Sequence, residues 1–226
     1  MTSDTKSQYI FPTLQAMRYE RKFPSRHLSM SSMEQLILRH PLGFRKAFPD
    51  RQINNVYFDT PDWATLRENL SGISDRTKYR LRWYGSGQTQ LIGPARFELK
   101  KKENLLGTKI IYSLDEQIAW PDISSLTANL PSLRHNMLQP SLVNSYRRAY
   151  FQSADLHFRL TLDWDLRFAP YHIQPFPLCP FPEPVLVIEL KYEQAVDDRL
   201  DDFTQFWPLR LDRFSKYVNG MQMVYL

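Results

Sequence analysis

Residues 78–84 read Lys78-Tyr79-Arg80-Leu81-Arg82-Trp83-Tyr84, and their alternation decides the fold. In an extended strand, residues two apart share a side. Lys78, Arg80 and Arg82 therefore line one face, and Tyr79, Leu81 and Trp83 the other. The pattern recurs along the chain. RYERKF carries Glu20 and Lys22, FELKKK carries Glu98, Lys100 and Lys102, FRLTLDW carries Arg159, and VIELKY carries Glu189 and Lys191. A single strand with one wet face is ordinary in an antiparallel sheet. Several that are cationic with an occasional carboxylate imply one shared surface that holds a polyanion.

Working outward, strands are expected at 17–23, 53–59, 78–84, 96–102, 108–114, 143–152, 157–168 and 184–192. Helices are expected at 29–40, 197–207 and 214–225, and over 115–140 with breaks at Pro121 and Pro131. Pro24 is expected to end the first strand. Thr60 reads as an N-cap with Pro61 at the first helical position and Trp63, Leu66 and Leu70 on the apolar face. Asp59 reads as a capping or turn residue. The prolines between Pro170 and Pro184 read as a connection between two strands. Strands and helices do not alternate regularly, and no glycine fingerprint follows a strand, which argues against a doubly wound parallel sheet. The fold class is α+β: an antiparallel barrel or curved sheet whose polar faces point into a lumen and whose apolar faces pack against outer helices. Residues 1–16 read as a loose segment and 17–226 as one domain.

Composition narrows the function classes. Lys plus Arg is 29 against 24 for Asp plus Glu, a net charge of +5 that favours anionic partners without choosing among them. Cys179 is the only cysteine, which excludes an intrachain disulfide and a cysteine metal cluster. His27, His40, His135, His157 and His172 are scattered without ligand spacing, so no histidine metal site is expected. The start MTSDTKSQYIF lacks the features of a secretory signal, and no apolar run approaches a spanning helix. The chain is expected to be cytoplasmic, without membrane insertion of its own. The five tryptophans read as core and helix–barrel packing, while Tyr57 or Tyr79 could stack on a base.

If the charged faces share one lumen, it is lined by Lys22, Arg80, Arg82, Lys100, Lys109, Arg148 and Arg159, with Glu20 and Glu189 among them. Unpaired charges of one sign are costly to desolvate. A triphosphate or longer phosphate chain resolves this, because its oxygens accept charge-assisted hydrogen bonds from forked Arg donors and point-charge Lys donors. A Glu in such a cage suits Mg²⁺ or Mn²⁺, with phosphate oxygens and water completing the shell. Asp163 shares a strand face with Arg159 and reads as a salt-bridge partner.

The segments RYERKF, VYFDTPDW, KYRLRWYG, FELKKKENLLGTKIIY, SYRRAYF, FRLTLDWDLRF, VIELKY and RFSKYVNGM, in that order, resemble the VTC domain. That domain is the catalytic module of the vacuolar transporter chaperone and also occurs in stand-alone bacterial proteins. It belongs to the triphosphate tunnel metalloenzymes, with the CYTH adenylate cyclases and thiamine triphosphatases. The resemblance implies an antiparallel eight-stranded β-tunnel with helices outside and a C-terminal helix closing one end. It implies transfer of the ATP γ-phosphate to polyphosphate with a divalent metal, usually Mn²⁺. By motif, the tunnel cations are again Lys22, Arg80, Arg82, Lys100, Lys109, Arg148 and Arg159, with Glu189 as metal ligand. Arg213, Ser215 and Lys216 match the phosphate-touching C-terminal helix, and Lys22 is expected at the phosphate under attack.

The wider superfamily opens on E-x-E-x-K, whereas this chain has Arg18 at the first position. That departure tilts toward the VTC branch and leaves Glu20 as either a metal ligand or a salt-bridge partner. The alternatives are a tripolyphosphatase or nucleoside triphosphatase with water as acceptor, and a non-catalytic polyphosphate sensor. Nucleic acid is not expected as a partner, because inward charge at strand spacing suits a thin chain better. Delivery of product across a membrane would need a separate membrane partner.

Overall fold

A computed structural model describes residues 12–85, 90–103, 106–130, 133, 136–172, 174–175 and 177–226. The strands are β1 (Thr13–Ser25), β2 (Arg45–Asp59), β3 (Asp75–Tyr84), β4 (Leu91–Ile92), β5 (Ala95–Glu103), β6 (Leu106–Leu114), β7 (Ile118–Ala119), β8 (Gln139–Gln152), β9 (Arg159–Pro170), β10 (Cys179–Pro180) and β11 (Leu186–Glu193). The helices are α1 (Met30–Leu38), α2 (Ala64–Leu70), α3 (Leu200–Thr204) and α4 (Lys216–Tyr225). The long strands pair in the order β9-β11-β1-β6-β5-β3-β2-β8, and β8 pairs back onto β9, so the sheet closes into an antiparallel eight-stranded barrel. The short β10 extends β9, and β4 and β7 form a separate pair.

Alternation along the strands sorts side chains into three apolar layers. On one outer flank, Phe23, Leu160, Leu162, Ile188 and Leu190 pack against Met33 and Ile37 of α1 and Phe203 of α3. On the other, Leu81, Trp83, Phe97 and Tyr112 pack against Trp120 and Ile123. The third layer lies inside the barrel at one end. There Tyr57, Leu142, Tyr146, Phe168 and Val187 surround Tyr217 and Met221 of α4. This C-terminal helix closes that end.

Gly220 makes the insertion possible: a Cβ there would lie 2.5 Å from Phe168 and 2.6 Å from Leu142. Asp59, fully buried, anchors the same region. Its carboxylate accepts from the backbone N–H groups of Thr65 (2.8 Å) and Leu66 (3.0 Å) at the start of α2 and from the Tyr217 hydroxyl.

Several expectations are corrected. The 115–140 stretch is not mainly α-helical: it holds β7 and a 3-10 segment, Trp120–Asn129, which Pro121 starts. Pro24 does not end β1, because it pairs with Val187 on β11 while pairing to β6 stops at Tyr19. Its missing N–H therefore falls on an unpaired side. Thr60 is not the N-cap residue, but its Oγ1 accepts from the Ala64 N–H at 2.9 Å and so caps the first turn of α2 from one turn away. Trp63 holds the N-cap position with φ 57°, and Thr60 and Pro61 lie in the preceding turn. The strands β1, β2 and β8 are each longer than their alternation suggests, and Asp197–Trp207 divides between a 3-10 turn and α3. Trp63 and Trp164 are only half-buried. His135 and residues 1–11 lie outside the described residues.

Candidate functional site

The charged faces of the strands meet inside the barrel around four carboxylates. Glu98 of β5 is the most crowded. Arg80 Nε donates to it at 2.6 Å, Lys109 Nζ lies at 3.3 Å and Arg82 Nη1 at 3.7 Å. Burial would push the Glu98 carboxyl up, but Arg80, Arg82 and Lys109 hold it well below the usual range. Glu189 of β11 lies 3.4 Å from Lys22, 3.5 Å from Arg148 and 3.0 Å from Lys191. Glu20 of β1 accepts from Lys100 at 2.6 Å and lies 3.5 Å from Lys22. Asp163 of β9 takes both arms of the Arg148 guanidinium and the Lys216 ammonium. The cations come from β1, β3, β5, β6, β8, β11 and α4, with Arg80 and Arg82 both on β3, so the cluster exists only when the barrel is closed.

Register explains the convergence. Lys22 faces Glu189 across the β1–β11 pair, Lys100 faces Lys109 across β5–β6, and Arg80 faces Glu98 across β3–β5. Arg82 is further fixed by Asn55 Oδ1 at 2.9 Å and the Tyr146 hydroxyl at 3.2 Å. The Tyr146 ring carries the Lys216 ammonium 4.6 Å from its centroid. Burial opposes protonation of Lys22, but Glu189 and Glu20 outweigh it and raise its pKa, so it stays charged. Burial dominates at Lys109, where Glu98 opposes it and Arg80 and Arg82 reinforce it, and the pKa falls to about 7. Two buried donors near this interior, Thr161 Oγ1 and Asn144 Nδ2, have no protein partner.

Of the residues expected from sequence, Lys22, Arg80, Arg82, Lys100, Lys109, Arg148, Glu20, Glu189 and Lys216 are brought together. Ser215 is the N-cap of α4, and its Oγ accepts from Val218 N and from Lys78 Nζ at 2.8 Å. Two stand apart. Arg159 is exposed at the mouth opposite α4, where it shares a cleft of about 160 Å³ with Arg18, His157 and Lys191. Arg213 is exposed beside Gly72. Tyr57 packs on Tyr217 rather than at a mouth, and Tyr79 faces the outer layer. Lys78, Glu98 and Lys191 stand on the charged faces read from the sequence but not among the lumen residues expected there, and Tyr146 and Asn55 join the interior without a sequence expectation. Glu98 was legible in principle, since it shares a strand face with Lys100, but its partners lie on other strands.

Among the described residues, no group of three or more His, Cys, Asp or Glu side chains converges as a metal cluster, and no helix is long and apolar enough to cross a membrane. No curated protein matches the sequence. Among solved structures, a candidate adenylate cyclase from Vibrio parahaemolyticus aligns with a TM-score of 0.53 at 14% identity, covering 89% of this chain and 97% of that one. A candidate adenylyl cyclase from Hippeastrum, described with a dominant triphosphatase activity, aligns at 0.49 and 15% identity, covering 93% and 97%. The PH1819 protein from Pyrococcus horikoshii aligns at 0.49 and 12% identity, covering 91% and 98%. At 14% identity the Vibrio structure speaks for a shared fold alone. The VTC domain family matches residues 8–225, nearly the whole length, and with the closed barrel already described the chain belongs to the VTC domain family.

Proposed function

We propose that this protein is a divalent-metal-dependent phosphotransferase that moves the γ-phosphate of ATP onto a growing polyphosphate chain. One observation carries the reading: cations from separate strands converge on a single enclosed face, around carboxylates too few to neutralise them. A terminal oxygen of the acceptor chain attacks the γ-phosphorus. The bond to the β–γ bridging oxygen breaks, and ADP leaves with the electron pair. Such a transfer needs positioning and charge neutralisation more than covalent help from the protein. Arg80 and Arg82 supply planar forks, and Lys22, Lys100 and Lys109 supply point charges. Lys22, held protonated by Glu20 and Glu189, is the donor assigned to the phosphoryl under attack.

The donor set fits a hard divalent cation, Mn²⁺ or Mg²⁺. Glu20 and Glu189 already converge on one cationic nitrogen, lying 3.5 and 3.4 Å from Lys22 Nζ. When bound, the metal neutralises phosphate charge and orients its oxygens, with phosphate and water filling the rest of its shell. Arg18 in place of the first superfamily Glu supports the polymerase branch.

A second reading, hydrolysis of a triphosphate with water as acceptor, draws on α4, whose Tyr217 and Met221 fill the far end with Leu142 and Phe168. A short substrate suits a blind chamber. Incubation with ATP and Mn²⁺ or Mg²⁺, read by gel, separates them. Long chains are the expected product, free phosphate alone supports the hydrolase, and polyphosphate binding without turnover supports a sensor.

A further inference from the structure

Arg51 holds its charge among aromatic rings. Its guanidinium carbon lies 5.5 Å from the ring centres of both Phe48 and Tyr84 and 5.8 Å from that of Tyr150. The neighbouring carboxylate, Asp50, pairs with Lys46 at 3.4 Å instead, and among the described residues none lies within ion-pair distance of Arg51. Phe48 and Tyr150 meet edge to face, with ring centres 5.8 Å apart and planes at 88°. The rings thus form a right-angled corner with a cation set against it.

A bulge builds this corner. Between Phe48 and Arg51, β2 advances three residues while β8 advances two, from Tyr150 to Arg148. The extra residue re-aims the strand, so Phe48 joins Arg51 on the face of Arg148; without it Phe48 would point outward. Pro49, which has no N–H to give to the ladder, lies in the bulge. Tyr84 shares the inner face of Arg80 and Arg82 by parity. The corner sits at the mouth opposite α4, since β8 runs from Leu142, beside α4, through Tyr146 and Arg148 to Tyr150.

The corner begins where the cage ends. Arg148, which pairs with Asp163 and Glu189, lies 5.3 Å from the Tyr146 ring centre and 6.0 Å from that of Tyr150. Tyr84 and Tyr150 each stand two residues beyond a cage arginine, about 7 Å along the strand. The rings are open to solvent: Phe48 is 55% exposed and Tyr84 40%. Aromatic faces grouped at the mouth of a polar chamber suit the flat, apolar part of a ligand whose charged part lies inside. Tyr57 and Tyr79, the two tyrosines expected from sequence to meet a base, are turned elsewhere.

We propose that Phe48, Arg51, Tyr84 and Tyr150 form a stacking site for the nucleobase of the phosphate donor. The triphosphate lies inward against Arg82 and Arg148. The base leans on the open rings, and Arg51 adds a cation–π contact. The site takes nucleoside triphosphates as a class, because stacking engages the π face that every base has. The inference rests on the reading that ATP is the donor and adds where its base is held.

Titration calorimetry on the full chain with Mg²⁺ compares the β,γ-imido analogue of ATP, whose terminal phosphoryl group is not transferred, with tripolyphosphate. The variants are Phe48→Leu, which keeps apolar bulk and loses the ring, and Arg51→Gln. Each is expected to lower the affinity ratio of analogue to tripolyphosphate by about fivefold or more. A rim with a structural role alone would leave that ratio unchanged, and an unchanged ratio in either variant overturns the inference without touching the donor reading. The β,γ-imido analogue of GTP is expected to bind within about tenfold of the ATP analogue. A stronger preference means that hydrogen bonds to a base edge hold the base elsewhere, and overturns the stacking site. Wild-type protein that does not bind the ATP analogue overturns the ATP reading and the base site with it.

Discussion

Replacing Glu98 with Gln tests the interior most directly. Glu98 is only 2% exposed and neutralises Arg80, Arg82 and Lys109 at once. Glutamine keeps the shape and removes the charge, so the buried Arg82 and the part-buried Arg80 and Lys109 lose their shared counter-ion. Breaking a buried ion pair from one side costs about 3–5 kcal/mol. For a chain of this size about 1 kcal/mol moves Tm by about 2–4 °C, so the variant should melt about 6–20 °C lower. Tripolyphosphate should then raise Tm more in the variant than in the wild type, because the freed cations no longer prefer a carboxylate. A ligand at a hundredfold excess over its Kd adds about 2.7 kcal/mol by mass action alone, and the variant should exceed the wild-type shift at equal ligand concentration. Differential scanning fluorimetry with and without tripolyphosphate reads both effects. An unchanged apo Tm, or a smaller ligand shift in the variant, refutes the view that Glu98 holds the place of a bound phosphate.

Other perturbations follow from the same geometry. Lys109 titrates near 7 in the folded chain against an ordinary value of 10.5, so the folded state binds fewer protons between those limits. Its contribution to stability therefore rises with pH across that window. Phosphate binding near pH 8 should draw a proton onto it, visible as buffer-dependent calorimetric heat that Lys109→Met abolishes; heat independent of buffer would count against this. Glu189→Gln, rather than Glu189→Ala, is the informative site variant. Lys22, Arg148 and Lys191 all lean on this carboxylate, so the alanine variant should lose fold stability as well and melt early. Turnover in the ATP assay should be lost in the glutamine variant. Gly220→Ala should cost about 1–3 kcal/mol, because the methyl meets Phe168 and Leu142 in a filled space; a wild-type Tm would show that α4 is not seated there.

Much of the barrel was legible because strand parity survives any error in strand length. Lys22, Arg80, Arg82, Lys100 and Lys109 lie on strand faces whose opposite side is mostly apolar, and all five face inward however β1, β3, β5 and β6 are trimmed. Parity gives a face but neither depth nor partner. Arg159 has the right face, yet the stagger of β9 against β11 carries it to the mouth, level with Lys191. Asp163 reads as a salt-bridge partner on the face of Arg159, and Glu98 carries no assigned role, because their actual counter-ions sit on neighbouring strands and on α4, which parity within one strand does not reveal. Lys78 shares its face with Arg80 and Arg82 but was not placed in the site, since only the packing of α4 gives it a neighbour. The 115–140 stretch misled because its apolar spacing fits a helix, whereas its Trp120 must reach the outer layer against Trp83 and Tyr171.

The carboxylates inside the barrel also set a threshold for selectivity. Any incoming anion has to outbid glutamates and an aspartate that are already in place, tethered and close. A metabolite bearing one carboxylate, or a lone phosphate, offers the lysines and arginines nothing they lack and gains little by exchange. A ligand with several linked phosphoryl groups displaces several of these internal rivals through one binding event, so discrimination rises with the number of connected charges rather than with the strength of any one of them.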